Sequence, residues 1–319
     1  MSKTSDNQPN DWLEIAVEVA GIDAETVADV FRQACSGGTA IQPASHFDAG
    51  SDAYVIDCDA PAVVRGYLAA GADARRVTRS LRLALRLAPL QVPPRWRRAR
   101  RLREEDWRDG WKKHFGIQRI GRTLVVKPSW TAYRLKDGEV VLEIDPGMAF
   151  GTGQHPTTAM CLRALEELVR LQASVLDLGC GSGILAIAAA KLGASRVVAL
   201  DIDPNAVRAA RENASANGVS HVLDIREDTL RVDAPRRGAR ARKADAFFDI
   251  IVANISGLTL ERLTPAFARS LSSGGVLIAS GFLEDAVGGL RRAFETEGLR
   301  IDRVVEDGVW RSIIAYLDA

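Results

Sequence analysis

The chain has 319 residues and carries 42 lysines plus arginines against 41 aspartates plus glutamates, so its global charge argues for neither a nucleic-acid nor a membrane partner and any such partner must be argued from local patches. The polar stretch Met1 to Asn10 lacks the apolar centre of a signal peptide and no run of about 18 apolar residues occurs, which predicts a soluble cytoplasmic protein with no membrane partner. Cys35, Cys58, Cys161 and Cys180 are widely spaced, with no Cys-x-x-Cys pair and no clustered histidines, which speaks against a metal site or a disulfide framework and for buried free thiols.

Behind a short disordered tail (1–10), Leu13, Ile15, Val17 and Val19 alternate with polar or small residues as in a half-buried strand. A helix is expected over Ala24 to Ala34, ended by Gly37-Gly38, and then a short strand over Thr39 to Gln42. Tyr54 to Cys58 reads as a strand, Pro61 to Ala70 as a helix, and the alternating Leu81, Leu83, Leu85 and Leu87 as another strand. The order β-α-β-β-α-β predicts a small ferredoxin-like α+β domain over residues 11–90. Pro89 to Arg103, with Pro93-Pro94 and six arginines (Arg95, Arg97, Arg98, Arg100, Arg101, Arg103), reads as a basic linker that opens a linker region over 91–120. Arg122 to Val126 and Glu139 to Ile144, flanking Lys136-Asp137-Gly138, suggest a hairpin at the start of a second domain over 121–319.

From about Ser174 strands and helices alternate as in a parallel α/β sheet. Leu299 to Val304 and Val309 to Leu317 both read as strands, and Glu306-Asp307-Gly308 between them is too short for a crossover helix. The last strand must therefore run antiparallel. That reversal is expected of the class I (Rossmann-like, seven-stranded) methyltransferase fold and not of an ordinary nicotinamide-binding domain.

The apolar strand Val175 to Leu178 runs into Gly179-Cys180-Gly181-Ser182-Gly183 and then the apolar helix Ile184 to Lys191. Glycines let backbone pass close to a ligand, with free N–H groups at the helix start expected to point into the crevice. A dinucleotide fingerprint needs its third glycine one residue later, where Ile184 stands, so the spacing favours a sulfonium nucleoside, S-adenosyl-L-methionine. Gly179 and Gly181 are its expected contacts. Asp201 ends the next strand about twenty residues on, where a carboxylate accepts hydrogen bonds from both ribose hydroxyls. Asp203 and Asn205 are expected to cap the helix at Pro204 rather than touch the ligand. Asp228 sits where it would reach the adenine amino group, although an exposed loop carboxylate explains it almost as well. Asn254 follows the fourth strand, at the sheet edge where chemistry gathers, and is the candidate to accept a hydrogen bond from an attacking amine nitrogen. Upstream, the glycine-rich loop Asp145 to Thr158, with Phe150 in it, has the make-up of a segment that closes over the cofactor. His155 beside the helix start is expected to serve as a cap or anchor rather than a general base.

These segments together resemble the PrmA family, methyltransferases of large-subunit ribosomal protein eleven. The resemblance rests on Asp106-Trp107, Trp111-Lys112, Phe115, Val126 to Trp130, Asp145 to Thr158, Asp177 to Ala194, Asp201 to Asn205, Asn213, Asn254-Ile255 and Gly274-Gly275. It implies cofactor contacts at Thr158, Gly179, Asp201 and Asn254, methylation of N-terminal and lysine amines, and an N-terminal domain that grips the substrate protein. Ser256-Gly257 departs from the family's usual apolar-then-small pair, and the insert Arg236 to Lys243 is unlike the family core. In-line attack of a neutral amine needs no metal and, by this reading, no stable nucleic-acid partner. Two alternatives stay open: a methyltransferase of RNA or another protein, with Arg75 to Arg103 tracking phosphates, and a non-catalytic S-adenosylmethionine-binding module.

Overall fold

The computed structural model describes residues 11–35, 39–42, 44–48, 53–57, 60–103, 116–145, 155–231 and 248–318. Phe150, the linker region over 104–115 and the insert Arg236 to Lys243 lie outside the described residues. Two compact units divide the chain, Met1–Phe115 and Gly116–Ala319.

In the first unit, β1 (Asp11–Val19) leads to α1 (Ala24–Ala34), β2 (Thr39–Gln42), a hairpin of β3 (Ala44–Asp48) and β4 (Ala53–Asp57), β5 (Ala62–Ala69), α2 (Ala72–Leu87), β6 (Arg95–Trp96) and β7 (Arg100–Arg103). The sheet order is β2, β5, β1, with β6 and β7 end to end along the other edge of β1, and each of these pairs is antiparallel. Taking β6 and β7 as one interrupted strand gives the ferredoxin-like order, with the β3–β4 hairpin inserted before β5.

Three local expectations are corrected here. The segment expected as a helix, Pro61 to Ala70, is β5: as a central strand it is buried almost throughout, and a continuous apolar run does not reveal its period. The segment expected as a strand around Leu81 to Leu87 is α2, in which Leu81 and Leu85 are buried while Leu83 and Leu87 are 60% and 79% exposed. Every second residue is leucine, but only every fourth enters the core, and Leu, Arg and Ala are strong helix formers. The expected basic linker is in part the fourth strand, since Arg95 and Trp96 pair with Glu18 and Val17 and Arg100 to Arg103 with Glu14 to Asp11. Arginine-rich strands are tolerated on a sheet edge, where one side faces water.

The second unit opens with β8 (Gln118–Ile120), β9 (Leu124–Lys127) and β10 (Val140–Glu143). The expected hairpin of the two longer segments is absent: β9 and β10 run parallel, and β9 is instead antiparallel to β8. Lys136-Asp137-Gly138 turns the chain into β10, with Glu139 N–H donating to the Lys136 carbonyl at 3.2 Å. The rest alternates: α3 (Pro156–Leu168), β11 (Ser174–Leu178), α4 (Ile184–Lys191), β12 (Arg196–Asp201), α5 (Pro204–Ala216), β13 (Leu223–Glu227), β14 (Phe248–Asn254), α6 (Gly257–Ser270), β15 (Leu271–Leu283), α7 (Val287–Thr296), β16 (Leu299–Asp307) and β17 (Trp310–Leu317).

The seven-stranded sheet has the order β13, β12, β11, β14, β15, β17, β16. Strands β11 to β15 are parallel to their neighbours, whereas β17 is antiparallel to both β15 and β16. Alternate residues feed two cores, Val197, Ala199, Ile250 and Val252 on one face and Val198, Leu200, Ile251 and Ala253 on the other. Both faces are thus covered, as a largely parallel sheet requires. The order reverses between β11 and β14, which opens a crevice at the carboxyl ends of those strands.

Candidate active site

Gly179, Gly181 and Gly183 in the turn after β11 have φ of +74°, +53° and +80°, a region that side chains with a Cβ rarely occupy. A Cβ on Gly179 would also sit 2.5 Å from Ile255 Cγ2, and one on Gly183 would sit 2.9 Å from the Ala210 Cβ. The glycines therefore bring the turn against the end of β14 on one side and α5 on the other.

The amides of this turn are spent inside the protein. Gly179 and Cys180 N–H both donate to the Leu200 carbonyl (2.8 and 3.0 Å), and Gly183 N–H donates to the Cys180 carbonyl (2.8 Å). Gly181 N–H donates to Asp201 Oδ2 at 2.8 Å. The expectation of free N–H groups aimed into the crevice is thus not met at these four residues. Phosphate recognition depends on such groups; a nucleoside attached to a sulfonium carries no phosphate and does not need them.

Asp201, the last residue of β12, uses its other oxygen to accept from Asp203 N–H at 2.9 Å. A carboxylate has about four lone-pair sites, so two protein donors leave capacity for ribose hydroxyls. Asp203 caps α5 by accepting from Asn205 N–H at 2.8 Å, the capping role expected of it. Asp228 lies one residue past β13; its N–H donates to the Asp201 carbonyl at 3.0 Å, and its exposed side chain accepts from Thr229 N–H at 2.8 Å.

Asn254 ends β14 and Thr158 lies in the first turn of α3, 96 residues away in sequence. The structure brings them together: Asn254 Nδ2 donates to Thr158 Oγ1 at 3.2 Å, with Thr158 only 1% exposed. With Nδ2 engaged by this hydroxyl, Oδ1 is left as an acceptor at the carboxyl end of β14. His155 is the N-cap of α3, its Nδ1 2.7 Å from Thr157 Oγ1, and its ring packs edge-on against Trp310, with centroids 4.6 Å apart. The anchoring role expected of His155 agrees with these contacts.

Two further residues carry the site; both stand among the residues that carry the family resemblance, but neither was given a role from the sequence. Asp177 in β11 is fully buried; Oδ2 accepts from Ala186 N–H at 3.0 Å, while Oδ1 has no partner among the described residues. Burial pushes its carboxyl up to about 7, with the Asp201 charge adding to the effect and the Ala186 N–H opposing it. Asn213 of α5 is 4% exposed; its Nδ2 donates to the Ser182 carbonyl at 2.9 Å and its Oδ1 accepts from Asp145 N–H at 3.1 Å. One side chain thus ties the glycine turn to the start of the Asp145–Thr158 loop. Asn217, one helical turn on, grips the Glu143 backbone with both ends of its amide (3.0 and 2.6 Å). Asn213, a poor helix former in the interior of α5, was the available signal.

The glycine cradle and the carboxylate at the end of β12, which keeps acceptor capacity free, fit S-adenosylmethionine. Comparison with known proteins agrees. The sequence matches the family described as "Ribosomal protein L11 methyltransferase (PrmA)" over residues 11–317. Proteins named ribosomal protein L11 methyltransferase are 41% identical in Pelotomaculum thermopropionicum, covering 97% of this chain and 100% of the relative. In Chloroflexus aurantiacus the figure is 38%, over 96% of this chain and 98% of the relative. A crystal structure titled ribosomal protein L11 methylase, from Lactobacillus delbrueckii subsp. bulgaricus, is 32% identical with a TM-score of 0.57, covering 64% of this chain and 100% of that one. On sequence, on fold and on the make-up of the crevice, the chain belongs to the ribosomal protein L11 methyltransferase (PrmA) family.

Proposed function

We propose that this protein transfers methyl groups from S-adenosylmethionine to the N-terminal amine and lysine amines of ribosomal protein L11. The observation that carries the reading is the Asn254–Thr158 pair: an amide oriented by a buried hydroxyl at the carboxyl end of β14, next to the glycine turn. Bound there, the cofactor supplies an electrophilic methyl on a cationic sulfur. Asn254 Oδ1 accepts one N–H of the incoming neutral amine, so that the nitrogen lone pair points along the line of attack; the gain is positional. Asp201 holds the ribose hydroxyls, and Asp177 braces the start of α4 beneath the turn by accepting from Ala186 N–H. Asp228 at the rim takes the adenine amino group, and Phe150 is a further contact of the cofactor. The ferredoxin-like unit recognises the protein substrate.

No protein base is required for an α-amine, whose ordinary pKa of about 7.8 leaves it partly neutral near pH 8, whereas a lysine near 10.4 is almost wholly protonated there. Removing water from the closed crevice favours the neutral form of both. The test is incubation of the full chain with S-adenosylmethionine and unmodified L11, followed by intact-mass measurement. Mass gains in methyl increments are expected; an unchanged L11 mass alongside retained cofactor binding would reject the substrate.

A further inference from the structure

The arginines of α2 gather on one side of the helix, an arrangement hidden while this segment is read as a strand. At 3.6 residues per turn Arg75, Arg79, Arg82 and Arg86 fall within an arc of about 60° and span about 16 Å along the axis. All four are exposed, and among the described residues none of them pairs with an acidic side chain, the Arg76–Asp73 pair at 3.3 Å lying off the stripe. Beside the stripe stand the exposed apolar side chains of Leu83 and Leu87. Arg82 lies over the Trp96 ring, 4.8 Å from its centroid, which sets the stripe alongside β6, where Arg95, Arg97 and Arg98 are also exposed. Between residues 72 and 103 there are eleven arginines, one aspartate and no lysine or glutamate, in a chain whose total charge is +1.

We propose that this face of the first unit binds the phosphate backbone of single-stranded RNA, independently of the methyl-transfer site. Guanidinium groups bind phosphate oxygens through a planar fork and stack on bases, which makes arginine rather than lysine the residue of such surfaces. The row matches a chain of phosphates in sign and regularity, and the apolar flank of Leu83 and Leu87 suits base faces. Charge complementarity also separates RNA from the protein substrate: a protein that itself binds RNA displays basic surface, which this row would repel. The family acts on a ribosomal protein, so RNA is the polyanion that surrounds its target. Methyl transfer does not require this contact; the face retains the enzyme near particles that contain its substrate.

Fluorescence anisotropy with the full chain and a labelled single-stranded RNA of mixed sequence, titrated between about 50 and 200 mM salt, tests this. Four phosphate contacts at about 0.7 per charge predict that Arg75→Gln, Arg79→Gln, Arg82→Gln and Arg86→Gln together lower the slope of log affinity against log salt by about 3. The matching four-lysine variant should keep most of the slope. An unchanged melting temperature checks that both variants fold. Absence of salt-dependent binding, the same slope in the glutamine variant, or equal affinity for duplex DNA would overturn the proposal. A fall in methylation of free L11 with RNA binding intact would also overturn it, by assigning the face to protein.

Discussion

Replacing Asn213 with alanine should loosen the cofactor turn from the Asp145–Thr158 loop, and its cost can be worked from the hydrogen bonds lost. The Ser182 carbonyl accepts from Asn213 Nδ2 at 2.9 Å in a residue with no exposed surface, so truncation strands a buried acceptor, at about 1–3 kcal/mol. The Asp145 N–H, now paired with Oδ1 at 3.1 Å, belongs to an exposed residue and can turn to water, adding about 1 kcal/mol. A loss of about 2–4 kcal/mol follows, measured by urea unfolding of the second unit with a probe in the seven-stranded sheet. Asn213→Asp sharpens the test. It keeps an acceptor for Asp145 N–H but sets a carboxylate oxygen against the Ser182 carbonyl, so it should cost at least as much as alanine. Both variants should also weaken S-adenosylmethionine binding, because the turn loses its support. A loss under 1 kcal/mol for alanine, or a stability for the aspartate variant close to wild type, would refute the role of the amide.

Three other outcomes follow from the same geometry. Asp177 is held protonated up to about pH 7 by burial, whereas an unfolded chain ionises it near 3.9, so the folded state binds the extra proton between those values and stability falls as pH rises through them by about 1.4 kcal/mol per unit. Asp177→Asn titrates nothing there; its stability relative to wild type should climb from pH 4 to 7 and then level, and a pH-independent difference in cofactor-free unfolding would disprove the shift. Gly179→Ala, at φ +74° with a Cβ 2.5 Å from Ile255, should raise the cofactor Kd at least tenfold by displacing the turn from β14, as calorimetry would show. Thr158→Val removes the acceptor for Asn254 Nδ2 and should lower kcat more than it raises the KM for L11; equal effects on both would point to lost packing alone.

The glycine turn, Asp201 and Asn254 were legible in the sequence because each is tied to a fixed place on a strand of regular α/β alternation. The two-residue turn after β16 likewise leaves no room for a crossover, so the reversed last strand could be inferred. The ferredoxin-like class was recovered although its third strand was read as a helix, its second helix as a strand and its fourth strand as a linker. β5 is buried on both faces and α2 carries leucine at every second position, so neither displays the period of its own secondary structure. The parallel pairing of β9 with β10 was hidden because Lys136-Asp137-Gly138 is a good turn signal for any change of direction. The role of Asn213, a residue of the family resemblance, was hidden for another reason: its partners, Ser182 and Asp145, are 31 and 68 residues away and accept or donate through backbone, which has no signature of its own.

The most direct test of methyl transfer at the Asn254–Thr158 corner is tandem mass spectrometry of L11 after reaction with S-adenosylmethionine carrying a deuterated methyl group, using the wild-type chain and Asn254→Ala. The account predicts label on the N-terminal amine and on lysines with the wild type, and at least a tenfold lower rate of labelling with the variant at similar cofactor affinity. Label absent from L11, or delivered equally fast by Asn254→Ala, would contradict it.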